Sequence, residues 1–335
     1  MRLCLRRRDF IAGLGGAAVA ARPLYASAQP PAIPVIGYLS FGSPEANASA
    51  EFGSPEEFLR RLKEAGYDEG RNVAIEFRWG NDQDVRLREF ATDWVRRQVA
   101  VIVTRGGPAT RAARAATSTI PIVFVTNADP VSFGLVASLS RPGGNMTGAA
   151  LLTTALVGKQ LDLLREMVPR ATTFVYLTDS RVPTAGETTS DIAAAARALN
   201  RDLTIAEARS ASDIESAIAT LVQRGNGALI VSPYQLFDTN MNRILGLAAR
   251  HNIPAIYHHS GWVRGGGLMS YGAKSGTWEK TAVDYVVRIL QGAKPANLPV
   301  HQPTEFDLVI NLKTAKTLGL TIPPTLYARA TEVIE

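Results

Sequence analysis

The sequence predicts an α/β protein built on parallel sheets, and three observations carry that reading. Short β-branched runs alternate with longer stretches of helical period, the helical stretches have legible starts and stops, and part of the chain repeats in outline. The runs are Val35–Ser40, Val73–Trp79, Val101–Thr104, Ile122–Thr126, Phe174–Thr178, Ala228–Ser232 and Ala255–His258. Strands separated by helices imply a parallel sheet covered by those helices. Ser54-Pro55-Glu56-Glu57 is a capping box with proline at the first helical position. Phe58, Leu59, Leu62 and Ala65 then form one apolar face, and Gly66 stops the helix. The stretch from Gly158 to Val168 repeats this with Leu161, Leu164 and Val168, and Pro169 ends it. Both stripes read as core packing.

The repeat has three pairs in the same order. Tyr38-Leu39-Ser40 matches Tyr176-Leu177-Thr178, the run from Ala100 to Thr104 matches Ala228 to Ser232, and Ile120 to Phe124 matches Ile253 to Tyr257. Two domains of similar topology follow, which suits a chain of 335 residues. In open α/β sheets ligands bind beyond the carboxyl ends of the strands. Two such domains facing each other would line one cleft with those ends, where small-molecule pockets concentrate. The candidate binding residues are therefore Ser40, Thr104, Gly106, Gly107, Thr126, Asn127 and Asp129 from the first half. Thr178, Asp179, Ser180, Pro233, Tyr234, His258 and Tyr271 follow from the second. The helix start after Gly106-Gly107 offers backbone N–H groups to a carboxylate. Arg105 is the charged clamp to set beside it, Asp129 or Asp179 can take an ammonium, and Tyr38, Tyr176, Tyr234 and Tyr271 can cover an apolar body.

The amino terminus reads as an export leader. A basic start, a short apolar run from Phe10 to about Ala21 and the small-residue site Ala26-Ser27-Ala28 make a secretory signal cleaved near Ala28. Arg7-Arg8-Asp9-Phe10-Ile11 resembles the twin-arginine motif, with Arg6 where Ser or Thr is usual. Cleavage would remove the single cysteine, Cys4, and with it thiol and disulfide chemistry. Five arginines against Asp9 put +4 of the +6 net charge in the leader, so only +2 remains and no basic stripe argues for nucleic acid. The expected location is the periplasm.

Four stretches resemble a known family: "GYDEGRNVAIEFRWG", "TIPIVFVTNADPVSFGLVASLSRPGGNMTG", "GGLMSYG" and "QPTEFDLVINLKTAKTLGLTIP". They are similar to bacterial ABC-transporter substrate-binding proteins, some of whose relatives serve aromatic amino acid uptake. The resemblance implies a type I periplasmic-binding-protein fold: two Rossmann-like lobes with parallel sheets, joined by a three-strand hinge that closes on a ligand. With the leader at 1–28, it implies a first lobe of 29–148 plus 268–294 and a second of 149–267 plus 295–335. The first crossover falls near Thr147–Ala150, the chain returns at Gly267–Gly272 with a helix from Ser275 to Gln291, and it crosses back near Pro295–Pro303.

Reactive constellations are poor. The run from Gly267 to Gly272 misses G-x-S-x-G, because Leu268 holds a glycine position. His258 and His259, adjacent in a strand, are expected on opposite faces and ill placed to share a metal. The expectation is a monomeric binding protein, not an enzyme, with no cofactor or metal. It takes a small carboxylated solute, an amino acid and weakly an aromatic one, and hands it to an ABC permease at the inner membrane. A periplasmic sensing module for a membrane receptor and a hydrolase are the alternatives.

Overall fold

A computed structural model describes residues 33–44 and 54–335, apart from 128, 183, 226 and 275. The predicted leader lies outside the described residues.

The first lobe runs β1 (Val35–Ser40), α1 (Pro55–Glu64), β2 (Ala74–Trp79), α2 (Asp84–Arg97), β3 (Val101–Arg105), α3 (Gly107–Ala116), β4 (Ile122–Thr126) and β5 (Met146–Ala150). Its sheet has the order β2-β1-β3-β4-β5, and every pairing is parallel. The chain then enters α4 (Val157–Met167), β6 (Thr173–Thr178), α5 (Ala185–Ala198), β7 (Asp202–Glu207), α6 (Ala211–Arg224) and β8 (Gly227–Val231). It continues through α7 (Gln235–Thr239), α8 (Met241–Arg250), β9 (Ala255–Tyr257), α9 (Ser260–Arg264) and β10 (Met269–Ala273). The last elements are α10 (Thr277–Leu290), β11 (Phe306–Asn311), α11 (Leu312–Thr317), α12 (Pro324–Arg329) and β12 (Glu332–Ile334). The second sheet has the order β12-β11-β10-β9-β8-β6-β7, parallel except where β10 meets β11. Its β7-β6-β8-β9-β10 portion has the strand order of the first sheet, so the three repeated sequence pairs fall on equivalent strands.

Strands β3, β4 and β5 are buried along their whole length because helices cover both faces. Alternate residues supply opposite cores. Ile36, Val101 and Val123 pack under α1 and α10, while Leu39, Ile102 and Phe124 pack under α2 and α3. The second sheet is lined likewise by Phe174 and Ile230 on one face and Leu177 and Val231 on the other. The α1 signals act as read: Ser54 Oγ accepts the Glu57 N–H at 3.2 Å, Phe58 and Leu62 are buried, and Gly66 turns out of the helix at φ +88°. Tyr38 joins the first core, 5.2 Å from both Phe58 and Phe77, and Tyr176 joins the second.

The lobe exchange differs from the sequence expectation in two places. The stretch 268–273 does not return the chain to the first lobe, because β10 is laddered between β9 and β11 in the second sheet. The return comes only with α10, which packs on β3, β4, β5 and α1. The segment from Pro295 also stays with the first lobe. Leu298 and Val300 enter its cores, and His301 exchanges hydrogen bonds of 2.9 Å with Gly148 and Ala150. Both differences arise because hydrogen-bond partners, which a local pattern does not name, assign a strand to its sheet.

One device recurs in the two lobes. A Cβ on Gly148 of β5 would lie 1.9 Å from the Phe124 carbonyl oxygen, and one on Gly272 of β10 would lie 1.8 Å from that of His258. Each glycine lets its strand approach the chain beside it more closely than any side chain allows. Gly272→Ala should therefore lose about 3 kcal/mol or more of unfolding free energy in urea titrations. Gly246→Ala, in the open interior of α8, should gain up to about 1 kcal/mol. A Gly272→Ala protein as stable as its parent would disprove the close approach.

Candidate functional site

The carboxyl ends of β3, β4, β6 and β8 meet across the two lobes around a cavity of about 260 Å³. Gly106, Gly107, Thr126 and Asn127 form the first wall, and Asp179, Pro233 and Tyr234 form the facing one. The lobes touch here: Asn127 Nδ2 donates to the Pro233 carbonyl at 2.8 Å, and Thr239 Oγ1 donates to Asp82 Oδ1 at 3.4 Å. Gly106, at φ +85°, is the N-cap of α3 and gives no side-chain cap; its own N–H donates to the Val125 carbonyl at 3.0 Å and Pro108 has none, so it is the Gly107 N–H that the first turn presents at the cavity edge. An ideal Cβ on Gly106 would come 3.3 Å from Gln235 Oε1 of the other lobe, which explains a small residue there. A larger cavity of about 590 Å³ opens near Ala171, Gly227 and Pro254, at the amino ends of the second-lobe strands and away from the polar tips.

Seven of the predicted residues thus share one cavity, and the others lie outside it. Thr104 Oγ1 is buried and 2.9 Å from Thr110 Oγ1, tying β3 to α3. Asp129 closes its own turn, accepting from the Val131 N–H at 2.9 Å and the Ser132 hydroxyl at 2.7 Å. Ser180 donates to Glu207 at 2.7 Å on the exposed rim. Tyr271 stacks on Phe306 with ring centres 6.1 Å apart. Ser40 and Thr178 end β1 and β6 with buried hydroxyls that have no hydrogen-bond partner among the described residues. His258 is buried against Asp238. Strand position marks all of these as tips; which tip faces a void depends on how the lobes dock.

The charges also sort differently from the sequence expectation. Asp179 is held by Arg181 through two side-chain hydrogen bonds of 2.9 and 2.7 Å, which leaves it little call for an external ammonium. Arg105 does not line the cavity; it is buried with its guanidinium 5.7 Å from the Trp278 ring centre. Asp82 and Arg181 do line it and carried no sequence signal beyond a polar turn. Burial raises the Asp82 carboxyl above its ordinary value, against the Thr239 hydroxyl and the Arg181 charge, which lower it. The cavity lining therefore combines the α3 helix start with a partly desolvated carboxylate.

A family model described as "ABC transporter substrate binding protein" matches residues 55–334. The chain belongs to that family. It is 26% identical over 263 residues to a tyrosine-binding protein of Clostridioides difficile strain R20291, covering 78% of this chain and 75% of the relative. Among solved structures, a conserved domain protein of Vibrio cholerae superposes with a TM-score of 0.80 at 25% identity, over 90% of this chain and 99% of the other. An ABC domain from Streptococcus pneumonia in complex with L-Trp superposes with a TM-score of 0.78 at 23% identity, over the same shares. The fold is the type I arrangement of two Rossmann-like lobes. Proteins of this family bind small solutes outside the cytoplasm and work with a membrane permease. No helix among the described residues is long and apolar enough to cross a membrane.

Beside the cleft of this substrate-binding protein lies a buried acid. Glu279, in the first turn of α10, is 3% exposed, and neither oxygen finds a partner in another described residue. Desolvation pushes the carboxyl up to about 7, against its own backbone N–H and the charges of Arg105 and Arg61, with Glu57 adding to the rise. A carboxyl whose folded pKa is raised stabilises the fold fully below its ordinary value near 4.5, and that contribution disappears as pH climbs through about 7. Glu279→Gln should accordingly be more stable than the parent at pH 8, by up to about 3 kcal/mol, with the gap closing toward pH 4.5. Thermal melts across that range measure it, and a pH-independent gap would refute the buried-acid account.

Proposed function

We propose that this protein captures a small zwitterionic amino acid, with aromatic side chains favoured, and delivers it unchanged to an ABC permease. The observation that carries the proposal is that groups of opposite electrostatic preference line one small void. The uncapped start of α3 at Gly106–Gly107 suits a carboxylate. Asp82, in the same lining, suits an ammonium. Phe41, Pro108, Val182 and Leu236 add apolar wall to the cavity. A volume of about 260 Å³ lies just under the roughly 300–1,000 Å³ common for ligand pockets and favours a single amino acid over an oligosaccharide. The tyrosine and tryptophan named for two relatives are in keeping with this chemistry.

In this reading Asn127 is a strut rather than a ligand clamp, since its amide already reaches Pro233 across the cleft. The hinge comprises the links near 151–156 and 302–305 and the one that joins β10 to α10, and the leader at 1–28 directs the chain to the periplasm as a monomer. The protein has no catalytic role, and the solute leaves chemically intact.

Mass spectrometry of solute released from the purified protein, followed by calorimetry with an amino acid panel, tests the proposal. The expected outcome is one-to-one binding at micromolar affinity or better, with the compound recovered unchanged after long incubation. Asp82→Asn should weaken binding by about tenfold or more, the effect of removing a charge-assisted hydrogen bond. Failure to bind any amino acid, or undiminished affinity in Asp82→Asn, overturns the assignment.

A further inference from the structure

Asp238, one turn along α7 from the cavity residue Gln235, meets two histidines at the end of β9. Strand alternation predicts that His258 and His259 point apart. They do not, because β9 ends at Tyr257, so His258 lies past the strand, and His259 is the extended N-cap of α9. Their rings stand perpendicular with centres 4.5 Å apart, and the Nε2 atoms lie 3.2 and 3.3 Å from the same oxygen, Asp238 Oδ1. We infer that Asp238, His258 and His259 form a three-ligand site for a divalent transition-metal ion of the zinc type.

A buried, unpartnered donor set argues for this beyond closeness. His258 is 3% exposed, and neither ring nitrogen makes a hydrogen bond among the described residues, although Nε2 is only 3.2 Å from the carboxylate oxygen. His259 Nε2 is hydrogen-bonded to that same oxygen at 3.3 Å, so the carboxylate is shared by one paired and one unpaired imidazole. All three ligand atoms fall within 4.8 Å of one another. Bonds of roughly 2.0–2.2 Å in a tetrahedral arrangement place neighbouring ligand atoms about 3.3–3.5 Å apart, close to the two separations found.

The chemistry of the donors selects the ion. Two imidazoles and one carboxylate suit zinc, copper or nickel, whereas calcium and magnesium prefer oxygen throughout. Three protein ligands leave a fourth position for water or for a solute group. Trp262 Nε1 donates to the same Asp238 Oδ1 at 3.3 Å and helps to orient the carboxylate. Because α7 also supplies Gln235 to the cavity and Thr239 to the contact with Asp82, a bound ion would brace the second-lobe jaw.

The test uses the untagged full chain, stripped with chelator and titrated with Co²⁺ while visible absorption is followed, then with Zn²⁺ by calorimetry. One equivalent should bind, with the intense visible bands of tetrahedral cobalt. His258→Gln should weaken binding by more than about tenfold, and His251→Gln, on the exposed end of α8, should leave it unchanged. Absence of a stoichiometric site in the parent overturns the inference even if the His258 variant fails to fold. So does equal affinity in parent and folded His258→Gln. Both readouts use the metal alone, so they stand or fall apart from the amino acid assignment.

Discussion

Parallel pairing is the constraint on which the rest depends. Each strand of a parallel ladder must start at the same end, so every connection carries the chain back across the sheet, usually through a helix. All carboxyl ends then emerge together. In both lobes this produces buried strands and one edge crowded with hydroxyls, amides and charged tips. When the two edges face each other, groups that a single lobe would leave to water become the walls of a shared chamber. Gly106, Thr126, Asp179 and Pro233 have no other reason to meet, being drawn from four strand ends in two lobes.

The chamber is polar, and its polar groups are unequally satisfied. Some are matched within the protein, as with Asp179 on Arg181 or Asn127 on Pro233. Outside the cavity, the hydroxyls of Ser40, Thr178 and Ser232 at strand ends and the carboxylate of Glu279 in α10 are buried with no hydrogen-bond partner in another described residue. A buried polar group without a partner is destabilising by about 1–3 kcal/mol. The seam between the lobes is divided accordingly. The cavity side presents an α3 start and Asp82, while the Arg105 side holds Tyr38, Trp278 and Glu279 in a drier setting.

Much of the fold was legible because its signals are local. The runs at Val35–Ser40 and Ile122–Thr126 match β1 and β4, and Ser54 and Gly66 bracket α1 through capping and left-handed geometry that neighbours in sequence supply. The repeat was legible too, because equivalent strands in the two lobes keep similar apolar runs and hydroxyl tips. The assignment of 268–273 and 295–301 to lobes was not legible. A short strand such as Met269–Ala273 contains nothing that says whether it will ladder with β9 or with β5.

By itself, then, the sequence determined the parallel α/β class, the doubled topology and the set of polar tips, since each is written in spacing and turn chemistry along the chain. Tertiary structure alone decided which tips line the void, because that depends on how two rigid lobes dock. It took Arg105 into a stack with Trp278, left Asp82 in the cleft through an otherwise plain turn, and turned two adjacent histidines onto one carboxylate once β9 stopped at Tyr257. Side-chain alternation holds only while the ladder lasts, and where the ladder ends is set by contacts across the sheet, which no single stretch of sequence contains.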